Sequence, residues 1–465
     1  MKIRKIKIKN YKIFDDLELD FTDSDGMALD TIVLAGINGS GKTSILQLLQ
    51  KIFSAKSNLL RIQDISHDFD ENKNAIICEE LTIEFESSLD FIKVFIELIY
   101  NFKQQALKRK FNVQGIFYSL KSITTKLTGS RIKKGDIKIF EFCYKTEINK
   151  EKFTIKQNDF LPFGVLSEND ISKYFSVLYF VASSFELNDY SNNKEIFDTL
   201  STTKQSYETN GVVKLVDIFS HKKEIEDYLV NSIIDSVLEN RETTVKDAVD
   251  IRIKEVNQIL RNIKINTKLI DLTSERAVFE SPNRKKISID DLSSGEKQLY
   301  YRAAFLSKLN IKNSLILVDE PETSLHPTWQ RDVIKLYQNA GENNQVILAT
   351  HSPHIIASVE PKNLFLLYFD DEERKVKIMN MEKEQRYTKG VEPNRILQEI
   401  MGVELRDEET QQRIDEIVTI LRQHPEERNS LEFKEKLQNL IRDLGVQDPS
   451  IMRINHQLFL LNRKK

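Results

Sequence analysis

Apolar and polar positions alternate from Leu17 to Phe21, and Ile3, Ile6 and Ile8 sit among lysines just before them. Period-two alternation predicts strands with one buried and one solvated face, so residues 1–35 read as an opening β-meander. Two runs, Thr31–Ala35 and Leu315–Val318, are instead almost wholly apolar, as suits strands covered on both faces in a parallel sheet. Ala75–Cys78, Leu81–Phe85 and Phe91–Tyr100 predict an antiparallel sheet completing a first lobe, and residues 174–187 a buried strand. Helical spacing appears from Ser44 to Phe53 and again from Val212 to Ile263. In the latter, Ile225, Leu229, Ile233 and Val237 make one stripe, and Ile253, Val256 and Leu260 a second. No a/d register is sustained, so these helices form a short arm, lid or core element, not a long coiled coil. Lys264–Ser288 predicts paired strands, and Val346–Ala349 and Val376–Met379 single ones. Arg395–Met401, Glu408–Arg422 and Ser430–Leu444 predict helices, and Gly445 to Lys465, holding Pro449, reads as a tail.

Chemistry enters where the strand Thr31–Ala35 meets the next helix, at Gly36-Ile37-Asn38-Gly39-Ser40-Gly41-Lys42-Thr43. Glycines at this spacing let backbone N–H groups close round a phosphate chain. Lys42 would reach the β- and γ-phosphates, and the Thr43 hydroxyl would ligate Mg²⁺. The phosphates would lie at a helix N-terminus, with its partial positive charge. Candidate phosphate-binding residues are therefore Gly36, Asn38, Gly39, Ser40, Gly41, Lys42, Thr43 and Ser44. The run Leu315–Val318 delivers adjacent carboxylates, Asp319 and Glu320, at the strand end where open α/β sheets place their ligands. Two further segments belong with these: Leu292-Ser293-Ser294-Gly295-Glu296-Lys297-Gln298 and Leu348-Ala349-Thr350-His351-Ser352-Pro353.

In this order the motifs resemble those of the ABC-type ATPases, in their SMC-like branch, over about residues 1–60 and 285–370 with a long insertion between. The resemblance implies an α/β P-loop ATPase head, with a mixed sheet and an antiparallel β subdomain. It also implies a helical and basic insertion and a C-terminal helical appendage. The divisions expected are 1–100, 101–284, 285–390 and 391–465. It further implies ATP and Mg²⁺ as ligands, with Thr43, Asp319 and a Q-loop residue, Gln63, at the metal. Glu320 would polarise the attacking water, and His351 would contact the γ-phosphate region. Ser293, Ser294, Gly295 and Glu296 would form a signature motif that caps the nucleotide of a second subunit. That gives a head-to-tail homodimer around two ATP molecules, or a higher oligomer built from it. Tyr11 or Phe14 could stack on adenine or be core. His326 and His354 are expected to be structural.

Composition adds bounds. The chain has 465 residues, enough for two or three domains. With 30% charged residues and a net charge of only −3, the overall balance favours no partner class. Cys78 and Cys143 have no metal-like spacing and suit a reducing, cytoplasmic setting. Met1–Lys12 lacks the apolar core of a leader, and no run reaches the ~18 apolar residues of a membrane span. Between Lys103 and Lys138 lie ten basic residues and one acid, Asp136, with Phe111, Phe117 and Tyr118 interleaved. This segment is either a solvated loop or a nucleic-acid or other polyanion contact.

The C-terminal stretch Gly390–Gly402 resembles the ATPase component of Septu-type antiphage systems, known also in stand-alone and retron-linked forms. The resemblance implies an ATPase that regulates a separately encoded HNH-type nuclease through helices at 393–444. No Toprim-like set of acids and no His/Cys nuclease motif is visible, which argues against the overcoming-lysogenisation-defect nucleases. The alternative is an SMC-like repair or chromosome-maintenance ATPase acting directly on DNA. A transporter nucleotide-binding subunit is disfavoured by the large insertion.

Overall fold

The computed structural model describes residues 2–54, 80–88, 137–145, 147–149, 152–154, 177–181, 213–217, 244–273, 276–309 and 311–463. The chain divides into two compact units, Met1–Ile396 and Leu397–Lys465. Gln63, the stretches Ala75–Cys78 and Phe91–Tyr100, the helical stripe Ile225–Val237 and nearly all of the basic segment lie outside the described residues.

The first unit is built on a sheet of seven described strands in the order Lys375–Asn380, Leu364–Asp370, Thr31–Ala35, Gln345–Thr350, Leu315–Asp319, Val177–Val181, Val213–Asp217. All neighbours run parallel except the terminal hairpin of Leu364–Asp370 with Lys375–Asn380. The apolar runs occupy its middle: every residue of Thr31–Ala35, Leu315–Asp319 and Gln345–Thr350 is buried. Because the three strands are parallel, their carboxyl ends emerge together on one edge.

A second sheet is antiparallel, ordered Phe14–Asp20, Lys2–Tyr11, Glu80–Ser88, Ile137–Lys145. Its pairing Ile6↔Leu19 and Ile8↔Leu17 puts apolar residues on one face. On the other face Lys5, Lys7 and Lys9 stand opposite Asp20, Glu18 and Asp16, so the opening lysines are matched by acids across the strand. An irregularity between Ile3 and Lys5 shifts the register by one residue. That bulge is why Ile3 and Ile6, three apart, both reach the core. Lys268–Leu272, Ala277–Glu280 and Lys286–Ser288 form a third, antiparallel sheet as expected. The fold class read from the sequence, α/β with a mixed sheet and an antiparallel β subdomain, is thus the one observed.

One reading needs correction. Val212–Ile263 is not helical throughout: Val213–Asp217 is a strand, paired in parallel with Val177–Val181 at the sheet edge, and the described helix is Val245–Ile259. The five residues Val-Lys-Leu-Val-Asp are too few for their apolar spacing to separate strand from helix, and pairing beside Val177–Val181 decides for strand. Within the tail, Pro449–Arg463 is a further helix, in keeping with the helical appendage expected. Proline at the first helical position loses only an N–H that would be unpaired anyway, and the Asp448 carboxylate accepts from the Ser450 N–H at 2.8 Å.

The second unit packs this helix with Glu408–Gln423 and Leu431–Leu444. Asp407 and Ser430 cap the latter two, accepting from the N–H groups of Thr410 and Phe433. Ile414, Ile417, Leu421, Phe433, Leu440, Ile451 and Ile454 make their common core. Among the described residues no helix is long and apolar enough to cross a membrane.

Candidate active site

The site grows from the carboxyl ends of three adjacent parallel strands. Thr31–Ala35 leads into the loop Gly36–Gly41 and the helix Lys42–Ser54. Gly36, Gly39 and Gly41 have φ of +152°, +80° and +91°, values that residues with a Cβ rarely adopt. A Cβ on Gly36 would lie 2.4 Å from the Leu367 carbonyl oxygen, and one on Gly41 would lie 2.4 Å from the Phe14 ring. The loop is therefore squeezed between a neighbouring strand and the antiparallel sheet, while its tip, Ile37–Gly39, faces solvent. Phe14 and Tyr11 are fully buried (1% and 0% exposed). Phe14 supports the loop from below, and neither ring offers a face for adenine to stack on.

Lys42 folds back over its own loop. Its ammonium donates to the carbonyls of Gly36 and Ile37 at 2.9 and 2.8 Å, with Ser40 Oγ at 3.5 Å. Burial pulls its pKa below the usual lysine range, against the opposing fields of Asp319, Glu320 and Glu322. An ammonium held by carbonyls at the mouth of a glycine loop is poised to exchange them for phosphate oxygens.

Thr43 begins the helix, and its hydroxyl donates to both carboxylate oxygens of Asp319, at 3.1 and 2.9 Å. Asp319 ends Leu315–Asp319 and is almost fully buried. A hydroxyl and a carboxylate in contact, with no sulfur or nitrogen donor in the pair, is a hard-oxygen set of the kind Mg²⁺ prefers, so these residues fit the cation the motifs imply.

Glu320 turns out of the strand with φ +43°, and its N–H donates to the Ala349 carbonyl at 2.9 Å. Its carboxylate lies 3.6 Å from Nδ1 of His351, and both side chains are close to half exposed. Sequence reasoning missed a third member. Glu322, only 7% exposed, accepts through Oε1 from the Thr350 hydroxyl at 2.8 Å and the His351 N–H at 3.0 Å. The same oxygen is 3.5 Å from His351 Nδ1. Glu322 thus fixes the end of Gln345–Thr350 and the histidine that follows. The signal was present, a second glutamate two residues beyond Glu320, but its partner Thr350 lies 28 residues downstream.

The signature-like segment sits apart from the loop. Ser293 caps the helix Ser294–Leu309 in a reciprocal box: its hydroxyl and N–H donate to Glu296 Oε2 at 2.7 and 3.0 Å, and the Glu296 N–H returns to Ser293 Oγ at 3.3 Å. Glu296 Oε1 accepts from the Thr267 hydroxyl, so this carboxylate is engaged within the protein and orients Ser293. Ser293 and Ser294 are exposed, whereas Gly295 is buried against Trp329 and the Ser324 carbonyl. Among the described residues, the side-chain hydrogen bonds of this segment reach Thr267, the Asp290 carbonyl and its own helix, not the Gly36–Thr43 loop. His326 caps the turn Pro327–Gln330, and His354 lies in the turn Pro353–Ile356, itself capped by Ser352.

Comparison with known proteins finds a family and several similar proteins. The AAA ATPase domain family matches residues 1–356. The chain is 24% identical over 410 residues to the Retron Vc95 probable ATPase of Vibrio cholerae serotype O1 biovar El Tor, covering 79% of this chain and 73% of that protein. It is 30% identical over 140 residues to the Septu protein PtuA of Bacillus thuringiensis, covering 27% of this chain and 35% of that one. Among solved structures, the SMC head domain from Thermotoga maritima aligns at 15% identity with a TM-score of 0.40, covering 82% of this chain and 99% of that one. The family match takes in the glycine loop, the carboxylate pair and His351 together, and the chain belongs to the AAA ATPase domain family.

Proposed function

We propose that this protein binds and hydrolyses Mg²⁺–ATP in a head-to-tail dimer and uses the cycle to regulate a separately encoded HNH-type nuclease in antiphage defence. One observation carries the enzymatic part: Thr43 and Asp319, 276 residues apart, are in hydrogen-bond contact, with Glu320 and His351 beside them.

The glycine loop and Lys42 bind the phosphate chain. Thr43 and Asp319 would hold the cation, which when bound neutralises charge on the β- and γ-phosphates. Glu320, at the exposed mouth, accepts a proton from the water that attacks the γ-phosphate. His351, held by Glu322, contacts the γ-phosphate and links its presence to the loop after Thr350. Ser293 and the backbone near Gly295 engage the γ-phosphate of the partner subunit, so ATP favours the closed dimer and loss of phosphate releases it.

The defence role rests on similarity to a retron ATPase and to a Septu protein, and on the stretch Gly390–Gly402. In this reading the protein works in the cytoplasm, residues 391–465 dock the nuclease, and the basic segment 103–138 meets nucleic acid.

Glu320→Gln tests the first half. It keeps shape and hydrogen bonding but removes the proton acceptor, so size-exclusion chromatography with light scattering should find a dimer trapped by ATP. Wild-type turnover without any shift toward dimer would refute the assignment. Affinity purification with the native neighbouring genes tests the second half. Co-purification of a small HNH protein supports it, whereas DNA-stimulated turnover by the protein alone favours the DNA-directed alternative.

A further inference from the structure

Among the described residues, Arg302 is the most deeply buried charge that the mechanism above leaves unused. Arg302 is fully buried (0% exposed) on the helix Ser294–Leu309. Its Nη1 donates to the Pro321 carbonyl at 2.8 Å. Among the described residues, no carboxylate lies within ion-pair distance of it, and its other polar neighbour is the buried Tyr337 hydroxyl, which its charge favours in the ionised form. A buried guanidinium with so few partners is a poor device for stability, since an apolar residue of similar volume in such a place is often neutral or better.

What it touches gives the reason to keep it. Pro321 lies in the turn that follows Asp319, between two non-glycine residues in the left-handed region, Glu320 (φ +43°) and Ser324 (φ +63°). Such conformations persist only when their surroundings over-determine them. Arg302 supplies one such hold. A second is seven residues earlier, two helical turns and so the same face: Gly295, where a Cβ would lie 2.8 Å from the Trp329 ring and 3.0 Å from the Ser324 carbonyl. Trp329 is in turn anchored by its indole N–H to the Lys264 carbonyl at 2.9 Å. The helix that starts at the signature segment is thus fastened at both ends of a two-turn span to residues 321–329.

We propose that Arg302 is a positioning residue for the reaction: with Gly295 and Trp329 it joins the signature helix to the turn that aims Glu320, so that a nucleotide engaging Ser293–Gly295 from the partner subunit acts on the glutamate of the engaged subunit. The inference rests on the ATP-sandwich reading and adds to it the route by which the two sites communicate.

Arg302→Met removes the donor while filling the space. Melting temperature should hold and the KM for ATP should stay within about twofold, while kcat falls on the order of tenfold to a hundredfold, as for a misaimed catalytic group. An unchanged kcat overturns the proposal, and so does a parallel loss of ATP binding and stability. Should Arg302→Met not fold, the partly exposed Trp329 decides. Trp329→Ala should lower kcat on the order of tenfold at constant KM, with Trp329→Phe restoring it. Unchanged turnover in Trp329→Ala overturns the idea. Wild-type protein that neither hydrolyses ATP nor associates with it removes the sandwich reading and this inference together. Active, associating wild type beside an unaffected Arg302→Met removes the inference alone.

Discussion

The hydroxyl of Thr43 donates to both oxygens of the Asp319 carboxylate, at 3.1 and 2.9 Å, across 276 residues of chain. The contact joins the first turn of a helix to the end of a strand two places away in the sheet, with Gln345–Thr350 between them. Parallel strands make this possible, because their carboxyl ends lie on one edge.

Asp319→Asn keeps the size and an acceptor for Thr43 but removes the charge from the cation pair. Mg²⁺-dependent ATP turnover should fall by roughly a hundredfold or more, because charge neutralisation at the phosphates is the main catalytic contribution in phosphoryl transfer. Thermal stability should not fall, since Glu320 and Glu322 crowd the same edge with like charge. Retained turnover in a steady-state assay would remove Asp319 from the cation site.

Glu322 separates a structural from an electrostatic role. Glu322→Gln preserves an acceptor for the Thr350 hydroxyl and the His351 N–H, and stability should drop by less than about 1 kcal/mol. Glu322→Ala takes the acceptor away from the buried Thr350 hydroxyl, which keeps only the bond it accepts from the Ser352 N–H, and should cost about 1–3 kcal/mol, with loss of turnover as His351 is released. Chemical denaturation of both variants checks the order. Equal effects would mean the carboxyl group matters for more than these two bonds.

The loop glycines differ in what surrounds them. Gly39 has φ +80°, and a methyl group added there would meet no atom within 4 Å. It should tolerate alanine at about 1 kcal/mol, the conformational penalty alone. Gly41 has φ +91° and the Phe14 ring 2.4 Å from the same position. Gly41→Ala should therefore displace the loop and abolish nucleotide binding, read by a fluorescent ATP analogue. Comparable binding by the two variants would contradict the packing of Phe14 beneath the loop.

In the C-terminal unit, Arg406 Nη2 donates to both oxygens of Asp448, at 2.9 and 2.7 Å. Burial alone would raise the Asp448 pKa, but Arg406 and the backbone N–H groups of Ser450 and Ile451 outweigh it and hold the carboxyl below its usual 3.8. A carboxyl depressed in the folded state stabilises it above the ordinary pKa, and that contribution is lost as pH falls through the folded value. Asp448→Asn should therefore lower the melting temperature at pH 7 and lose less than wild type on acidification below about pH 4. Parallel melting curves from pH 7 to 3 would exclude the pair as a stabilising contact.

Much of the molecule was determined by local pattern. The glycine loop follows a buried strand and opens a helix, and Asp319–Glu320 end another such strand. Each is written in a few adjacent residues because the interactions that make it are between near neighbours. The helices Glu408–Gln423 and Leu431–Leu444 were legible for the same reason, each with an apolar stripe and a capping residue. Where short-range signals ran out, tertiary structure decided. Val213–Asp217 became a strand because a sheet edge was free beside Val177–Val181. Gly36 must be glycine because Leu367, far along the chain, passes against it. Glu322 gained its role from Thr350 and His351, and Arg302 from Pro321. A side chain's neighbours across strands depend on sheet order and crossover, which the folded chain as a whole sets, and no window of sequence contains them.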